Sequence, residues 1–326
     1  MIYIDTNSTN PFYNFALEYY LIHEKELPDN EIFLFWRTEP TVMIGRYQNT
    51  LEEINEKFVK ENNIHVVRRI TGGGTIYTDF GGWQFSLITK GKAQQINFNK
   101  YIKPIIDALN QMGVAGEFNS RNDLVIENRK FSGNAQCMRN GYTLHHGSLL
   151  FKTDLEQMVK CLTVDDYKII SKGIKSVKER VTNISDYLSE SIDTMMFKDI
   201  MVKSIMNKSK NEYKLTDEDM AKISKIAKEK FESWQWNYGK SPKFNITKTG
   251  RFKGGKVEFR LDVNKGKIES CNLYGDFFGN VDIEEFCNSL IGVEYMKESI
   301  EEVLQNQNID QIFYNISLEE LVSVIY

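Results

Sequence analysis

The chain has 326 residues, of which 41% are hydrophobic and 26% charged, with a formal net charge of −4 at neutral pH. That length exceeds most single compact cores and predicts one large and one smaller domain, while the acidic balance argues against a nucleic-acid binder held by phosphate neutralisation. No apolar run reaches the roughly eighteen residues of a membrane span, and the opening MIYIDTNSTNPF lacks the basic start and apolar core of a signal peptide, so the expectation is a cytoplasmic protein without a membrane segment.

Asn10-Pro11 is an N-cap followed by the preferred first helical residue, and Phe12, Phe15, Ala16, Tyr19 and Ile22 recur at helical spacing, predicting an opening helix with an aromatic core stripe. Residues 31–37 and 41–46 read as strands joined by a Thr-Glu-Pro turn, residues 51–63 as a charged surface helix, and 65–71 as a strand that runs into three glycines. TIYTDFGGWQFSLI looks like two strands joined at Gly81-Gly82. Residues 98–113 predict a helix that bends or restarts at Pro104 and stops at Gly113. From Asp123 to Phe151 the pattern is β, and Asn140-Gly141 between the last two runs signals a hairpin. Beyond Asp154 the chain is mainly helical, with clear helices over 192–207 and 216–236, the second opened by Thr216 with Asp219 three residues on. Residues 239–250 carry the best boundary signal, giving a catalytic domain over 1–243 and an accessory domain over 250–326, the latter opening with a hairpin at Lys265-Gly266 and closing with three short helices.

Residues 68–82, RRITGGGTIYTDFGG, stand apart from core periodicity. Gly72, Gly73 and Gly74 can bring backbone N–H groups close to an anion, and Arg68 and Arg69 are permanent planar cations suited to carboxylate or phosphate. A plain glycine-rich hairpin turn with a solvated arginine pair fits the same residues. A P-loop is excluded because Thr75 and Ile76 follow Gly74 where Lys and Ser/Thr are required, and the dinucleotide fingerprint fails because position 77 is Tyr. Two further clusters are Arg121-Asn122-Asp123 leading to Lys130 and Ser132-Gly133-Asn134, and His145-His146-Gly147. Pairing through Asn140-Gly141 brings residues 130–136 near 145–151, so Lys130 and His146 flank one cleft. Each also has a plain reading: a solvated lysine, a turn-capping Asp123, a core histidine. The four cysteines, Cys137, Cys161, Cys271 and Cys287, form no C-x-x-C and read as free thiols, Cys137 as a buried inert one. The basic run Lys168, Lys172, Lys175, Lys178 and Arg180 reads as a solvated face. Taken together, a lysine, two arginines and exposed N–H groups, without a triad or metal spacing, suit the joining of two anions, as when a carboxylate attacks the α-phosphate of ATP.

These motifs resemble, in order and across almost the whole chain, the lipoate-protein ligase A family: RRITGGGTIYTDFGG, RNDLVI with RKFSGNAQ, LHHGSLL, KGIKSVKERVTNI and SWQWNYGKSP. The resemblance implies an α/β (α+β) catalytic domain of the biotin/lipoyl-ligase type, with mixed sheets flanked by helices, and a small α/β C-terminal accessory domain. It implies an ATP-dependent enzyme that uses lipoate, ATP and Mg2+ to make lipoyl-AMP and passes the lipoyl group to a lysine of a lipoyl domain, in a 2-oxoacid dehydrogenase E2 subunit or the glycine-cleavage H protein. It implies Lys130 as the catalytic residue, touching both the lipoyl carbonyl and the α-phosphate. Arg69, Gly73, Gly74, Thr75, Ile76, Tyr77, Asn122, Asp123, Gly133, Ala135, Lys172 and Arg180 would meet the nucleotide or adenylate. Arg68, Gly72 and His146 would meet lipoate with Lys130, and Asp123 would hold magnesium. Thr78 stands where the family usually has His and Gly82 where it has Asn, which points to a subgroup. Related octanoyl- and lipoyl-transferases work through a cysteine without ATP, so a Cys137 acyl-enzyme is one alternative. A catalytically idle lipoyl-domain binding module is another.

Overall fold

The computed structural model describes residues 1–26, 31–91, 96–119, 122–162, 179–206, 211–238, 246–279 and 283–326. Strands β1 (Ile2–Ile4), β2 (Glu31–Trp36), β3 (Thr41–Ile44), β4 (His65–Arg68), β5 (Ile76–Thr78), β6 (Gly82–Lys90), β7 (Glu117–Phe118), β8 (Asp123–Ile126), β9 (Arg129–Arg139) and β10 (Tyr142–Leu150) build two sheets. The larger runs β1-β2-β6-β10-β9-β8-β7, with β1 parallel to β2 and the other neighbours antiparallel; the smaller runs β4-β3-β5.

Strand alternation decides what each face of the large sheet meets. On β2, Phe33 and Phe35 point to one side with Phe85 and Leu149, where they pack against the helices Phe98–Gln111 and Thr194–Ile205. Ile32, Leu34 and Trp36 point to the other side, joining Ile88, Cys137 and Leu144 beneath the Pro11–His23 helix and the small sheet's Met43 and Val67. Both faces are therefore covered, and the strands read as continuous apolar runs for that reason. The opening helix is capped as its sequence implies: the Asn10 side chain accepts from the N–H groups of Phe12 and Tyr13, and Pro11 takes the first position. Thr216 and Asp219 form the expected capping box at the start of Asp217–Ile226.

Several expectations shift. Strands β2 and β3 do not pair with each other; the turn between them carries the chain from the large sheet to the small one. Likewise β5 and β6 lie in different sheets, and the triple glycine joins β4 to β5 on opposite sides of β3, so it is a crossover rather than a hairpin turn. Residues 51–63 hold two short helices, Thr50–Glu53 and Glu56–Glu61. Phe98–Gln111 runs unbroken through Pro104. Ser132-Gly133-Asn134 is part of continuous β9 and not a bend.

The C-terminal part is a three-stranded antiparallel sheet, β11 (Ile246–Phe252), β12 (Gly255–Asn264) and β13 (Lys267–Gly275), with Lys265-Gly266 in the expected turn. Four helices follow, Ile283–Ser289, Lys297–Gln305, Ile309–Ile312 and Leu318–Ile325, one more than the sequence suggested. They close a separate core around Phe259, Phe286, Leu304 and Leu321. Its first strand begins at Ile246, inside the stretch that read as a boundary. Among the described residues, no helix is long and apolar enough to cross a membrane.

Candidate active site

A cleft opens where the two sheets face each other. The large sheet supplies Trp36, Gln84, Lys130, Gly133, Asn134, Ala135, His146, Gly147 and Ser148; the small sheet and its crossover supply Met43, Arg69 and residues 73–76; Phe15 and Asn122 complete the lining. The hairpin at Asn140-Gly141, both with positive φ, sets His146 directly opposite Ala135, which delivers the predicted juxtaposition of Lys130 and His146 in one cavity.

At the polar end, Lys130 Nζ lies 2.7 Å from Asp123 Oδ1, with 38% of the lysine side chain exposed. A Cβ placed on Gly133 would stand 3.1 Å from that nitrogen, so the glycine is what lets the ammonium lie along the strand. Asn122 and Asn134 brace this end by donating their side-chain amides to each other's main-chain carbonyls, at 2.8 and 3.0 Å. Thr75 Oγ1 is 2.8 Å from Gln48 Oε1 and 3.2 Å from Glu53 Oε2, and burial pushes the Glu53 carboxyl up.

The apolar end is formed by Phe15, Trp36 and Met43 over a buried polar chain. Trp36 Nε1–H donates to Ser86 Oγ at 3.0 Å, and Ser86 Oγ donates to Glu18, which has no exposed surface. His146 Nδ1 is 3.1 Å from the same carboxylate and its Nε2 is 2.7 Å from Thr71 Oγ1. Because a carboxylate only accepts, Nδ1–H of the ring donates to Glu18, and the Thr71 hydroxyl meets Nε2 on the other side. Arg69 Nε donates to that hydroxyl at 3.2 Å, so the chain ends in a cation beside the glycine crossover.

The arginine pair divides. Arg69 lines the cleft and donates to the carbonyls of Met43, Gly72 and Gly74, fixing the crossover from within. Arg68 faces the other way, donating to the carbonyls of Gly45, Arg46, Gln48, Trp236 and Asn237 and to Thr50 Oγ1. Burial draws both guanidinium groups down to about 10, still charged at neutral pH. The expectation that Arg68 meets lipoate is corrected here, because its fork is already filled by carbonyls outside the cleft. Gly72 also departs from its expected role. A Cβ there would strike the Phe277 carbonyl at 2.4 Å, so it packs against the C-terminal domain. Gly73, with φ +89°, donates its N–H to the same carbonyl at 2.9 Å, whereas a Cβ on Gly74 would make only ordinary contact, 3.7 Å from Asp276 Cβ. Tyr77 is buried with its hydroxyl on Gln157, away from the cavity, so only its backbone stands near the crossover.

Cys137 is buried on β9 on the face covered by the Pro11–His23 helix, and burial pushes its thiol up to about 12, which disfavours the thiolate that a cysteine acyl-enzyme needs. Lys172 lies outside the described residues, as do Arg121, Lys168, Lys175 and Lys178. Arg180 is exposed, one residue before Val181, which bridges to Lys130 as the Thr182 N–H bonds the Lys130 carbonyl. Among the described residues no group of three carboxylate, histidine or cysteine side chains could hold a metal ion. Asp123 offers a single carboxylate already engaged with Lys130, a donor set that fits only a magnesium ion brought in on phosphates.

Sequence reasoning missed Phe15, Trp36, Met43, Gln84 and Ser148 as cleft residues. Phe15 and Trp36 read as core because a ligand pocket's apolar wall has the same periodicity as a core face.

The two-sheet cleft and the appended three-stranded domain define a lipoyl-ligase architecture. A model of the lipoyl protein ligase A/B catalytic domain matches residues 10–206, and one of the bacterial lipoate protein ligase C-terminus matches 241–325. The chain belongs to the lipoate-protein ligase family and is an enzyme of that kind. It is 42% identical over 332 aligned positions, all of both chains, to lipoate-protein ligase LplJ of Bacillus subtilis. Among solved structures it is similar to P. falciparum LipL1 in complex with lipoate, at TM-score 0.81, 25% identity, 99% of this chain and 98% of that one. It is similar also to the bi-partite lipoate protein ligase of Thermoplasma acidophilum, described with its E2 lipoyl domain, at TM-score 0.66, 26% identity, 75% of this chain and 98% of that one.

Proposed function

We propose that this enzyme is an ATP-dependent lipoate-protein ligase, which activates lipoate as lipoyl-AMP and transfers the lipoyl group to one lysine of a lipoyl domain. The observation that carries the reading is Lys130 Nζ, standing over Gly133 at the polar end of a cleft whose other end is apolar. A fatty carboxylate with an apolar tail suits that polarity: the tail lies against Phe15, Trp36 and Met43, and the carboxylate reaches the ammonium. The α-phosphate of ATP approaches from the side of Gly74 and Thr75. The lysine charge then offsets the repulsion between two anions and the negative charge that grows as carboxylate oxygen attacks phosphorus. Pyrophosphate leaves, and a lysine of the acceptor protein displaces AMP. Asp123 holds Lys130 in place and would supply an oxygen to a magnesium ion accompanying the phosphates, which would neutralise their charge. Arg69 holds the crossover through its carbonyls, and Arg180 lies beside the strand that carries Lys130. The resemblance to the Plasmodium protein with lipoate and to the archaeal ligase with its E2 lipoyl domain supports the two substrates.

The test is to incubate the enzyme with ATP, magnesium and lipoate, alone and with a panel of E2 lipoyl domains and glycine-cleavage H protein, and weigh the products. Lipoyl-AMP in the first mixture and a lipoyl mass increment on one lysine in the second are expected. An acceptor modified without ATP overturns the adenylate route.

A further inference from the structure

Gln84 is a cleft amide for which activation chemistry has no use. It is 4% exposed on β6, directly opposite Trp36 of β2 and Ser148 of β10. Its Nε2 donates to Thr78 Oγ1 at 2.8 Å. With the amide turned that way, Oε1 is the atom left for the cleft, and among the described residues no group donates to it. That oxygen opens onto the cleft, where it is available to accept from a bound ligand. The next strand ties this row to the reaction centre: the Gly133 N–H donates to Ser148 Oγ at 3.3 Å, and Gly133 is the residue over which Lys130 Nζ lies. Two strand spacings, roughly 10 Å, separate Gln84 from Gly133.

The ligand chemistry narrows what can fill that carbonyl. A lipoyl tail and a phosphodiester carry no N–H or O–H. The remaining donors are the sugar and base of the nucleotide, which the proposed function brings in from the glycine crossover on the other wall, and the amine of the acceptor lysine, which must arrive at the acyl carbon. We propose that Gln84 Oε1 accepts a hydrogen bond from that amine and aims its lone pair at the acyl carbon. The inference rests on the ligase reading above. In the step, the amine nitrogen adds to the carbonyl carbon, the bond from that carbon to the phosphate oxygen breaks, AMP leaves with the electron pair, and the nitrogen loses its proton to water. Gln84 moves no proton; it orients the nucleophile and stabilises the positive charge that grows on nitrogen.

The two positions that depart from the family motif both bear on this amide. Thr78, 1% exposed, is its anchor, and a Cβ at Gly82 would press to 2.7 Å from Thr78 Oγ1 and 2.9 Å from Thr153 Oγ1, so glycine there leaves room for the anchor.

The experiment splits the two half-reactions in the full-length enzyme. Hydroxylamine, a small nucleophile that needs no aiming, traps the adenylate as a hydroxamate, while a lipoyl domain reports directed transfer. Gln84→Met is expected to keep hydroxamate formation within about threefold and to lower transfer by about tenfold to a hundredfold, the effect of one lost bond to a charging amine. Thr78→Val, which frees the amide without removing it, is expected to lower transfer in the same direction and by less. Unchanged transfer in Gln84→Met overturns the proposal. So does an equal fall in hydroxamate and transfer, which would assign the amide to the nucleotide or lipoate. Absence of hydroxamate from the unaltered enzyme would overturn the activation reading, and this assignment with it.

Discussion

Arg68 and Arg69 are chain neighbours with the same side chain, and the ground on either side of them works differently. Arg68 points into a nest of five main-chain carbonyls that ties residues 45–48 to 236–237, where its charge serves cohesion. Arg69 points to the cleft, where it holds the carbonyls of Gly72 and Gly74 and reaches Thr71. Because side chains alternate along an extended chain, one of two adjacent cations is turned away from a site that the other enters. The pair teaches that a run of two arginines is half scaffold and half site.

The sharpest way to break this contrast lies at the polar end of the cleft. Lys130→Ala is expected to lower lipoate-dependent pyrophosphate release by at least about a hundredfold, since the proposed function sets that cation against the charge that builds in the transition state. Its melting temperature should stay close to that of the unaltered enzyme, because 38% of the side chain is exposed. Full retention of adenylation would remove Lys130 from the chemistry. Arg68→Met tests the scaffold half. It leaves a cluster of buried carbonyls without donors and is expected to cost about 2–4 kcal/mol in urea unfolding; a smaller loss with a raised KM for lipoate would return Arg68 to the site. At the apolar end, Trp36→Leu is expected to raise the lipoate KM about tenfold with kcat little changed, the amount that partial loss of one aromatic contact implies.

A weaker effect concerns acid. His145 stacks on Tyr101 and bonds Asn134 behind the cleft, and burial, then neighbouring His146, holds its imidazole down at about 3. The unfolded chain binds a proton at this ring below about pH 6.5 while the folded one does not, so stability falls as pH drops from there toward 3. His145→Phe should remove up to about 1.4 kcal/mol per pH unit of that slope, read from unfolding at pH 7 and 4.5. The smallest expected effect is Cys137→Ser, which should leave lipoylation within about twofold; loss of activity with a trapped acyl-enzyme in the unaltered protein would revive the cysteine route.

Local chemistry was the legible part. Asn140-Gly141 fixed a register that brought Lys130 and His146 together, Asn10-Pro11 and Thr216 opened their helices, and the glycines marked a place where backbone lies bare. The family motif added expectations of role. What stayed hidden was long-range. Nothing in the alternation of β2 and β3 says that they enter different sheets, so they read as neighbours joined by a turn. The contact of Gly72 and Gly73 with the Phe277 carbonyl joins residues two hundred positions apart, beyond any local pattern. Phe15 and Trp36 were hidden for the opposite reason: they obey the core pattern so well that it concealed the ligand wall.

The chain changes sheets twice beside the cleft, through residues 37–40 and through residues 79–81. Those short spans act as hinges of fixed length between facing walls, so the gap is set by a count of peptide units as much as by the side chains inside it. A single residue added at either seam would lengthen the backbone between the facing walls and so alter the cavity they enclose.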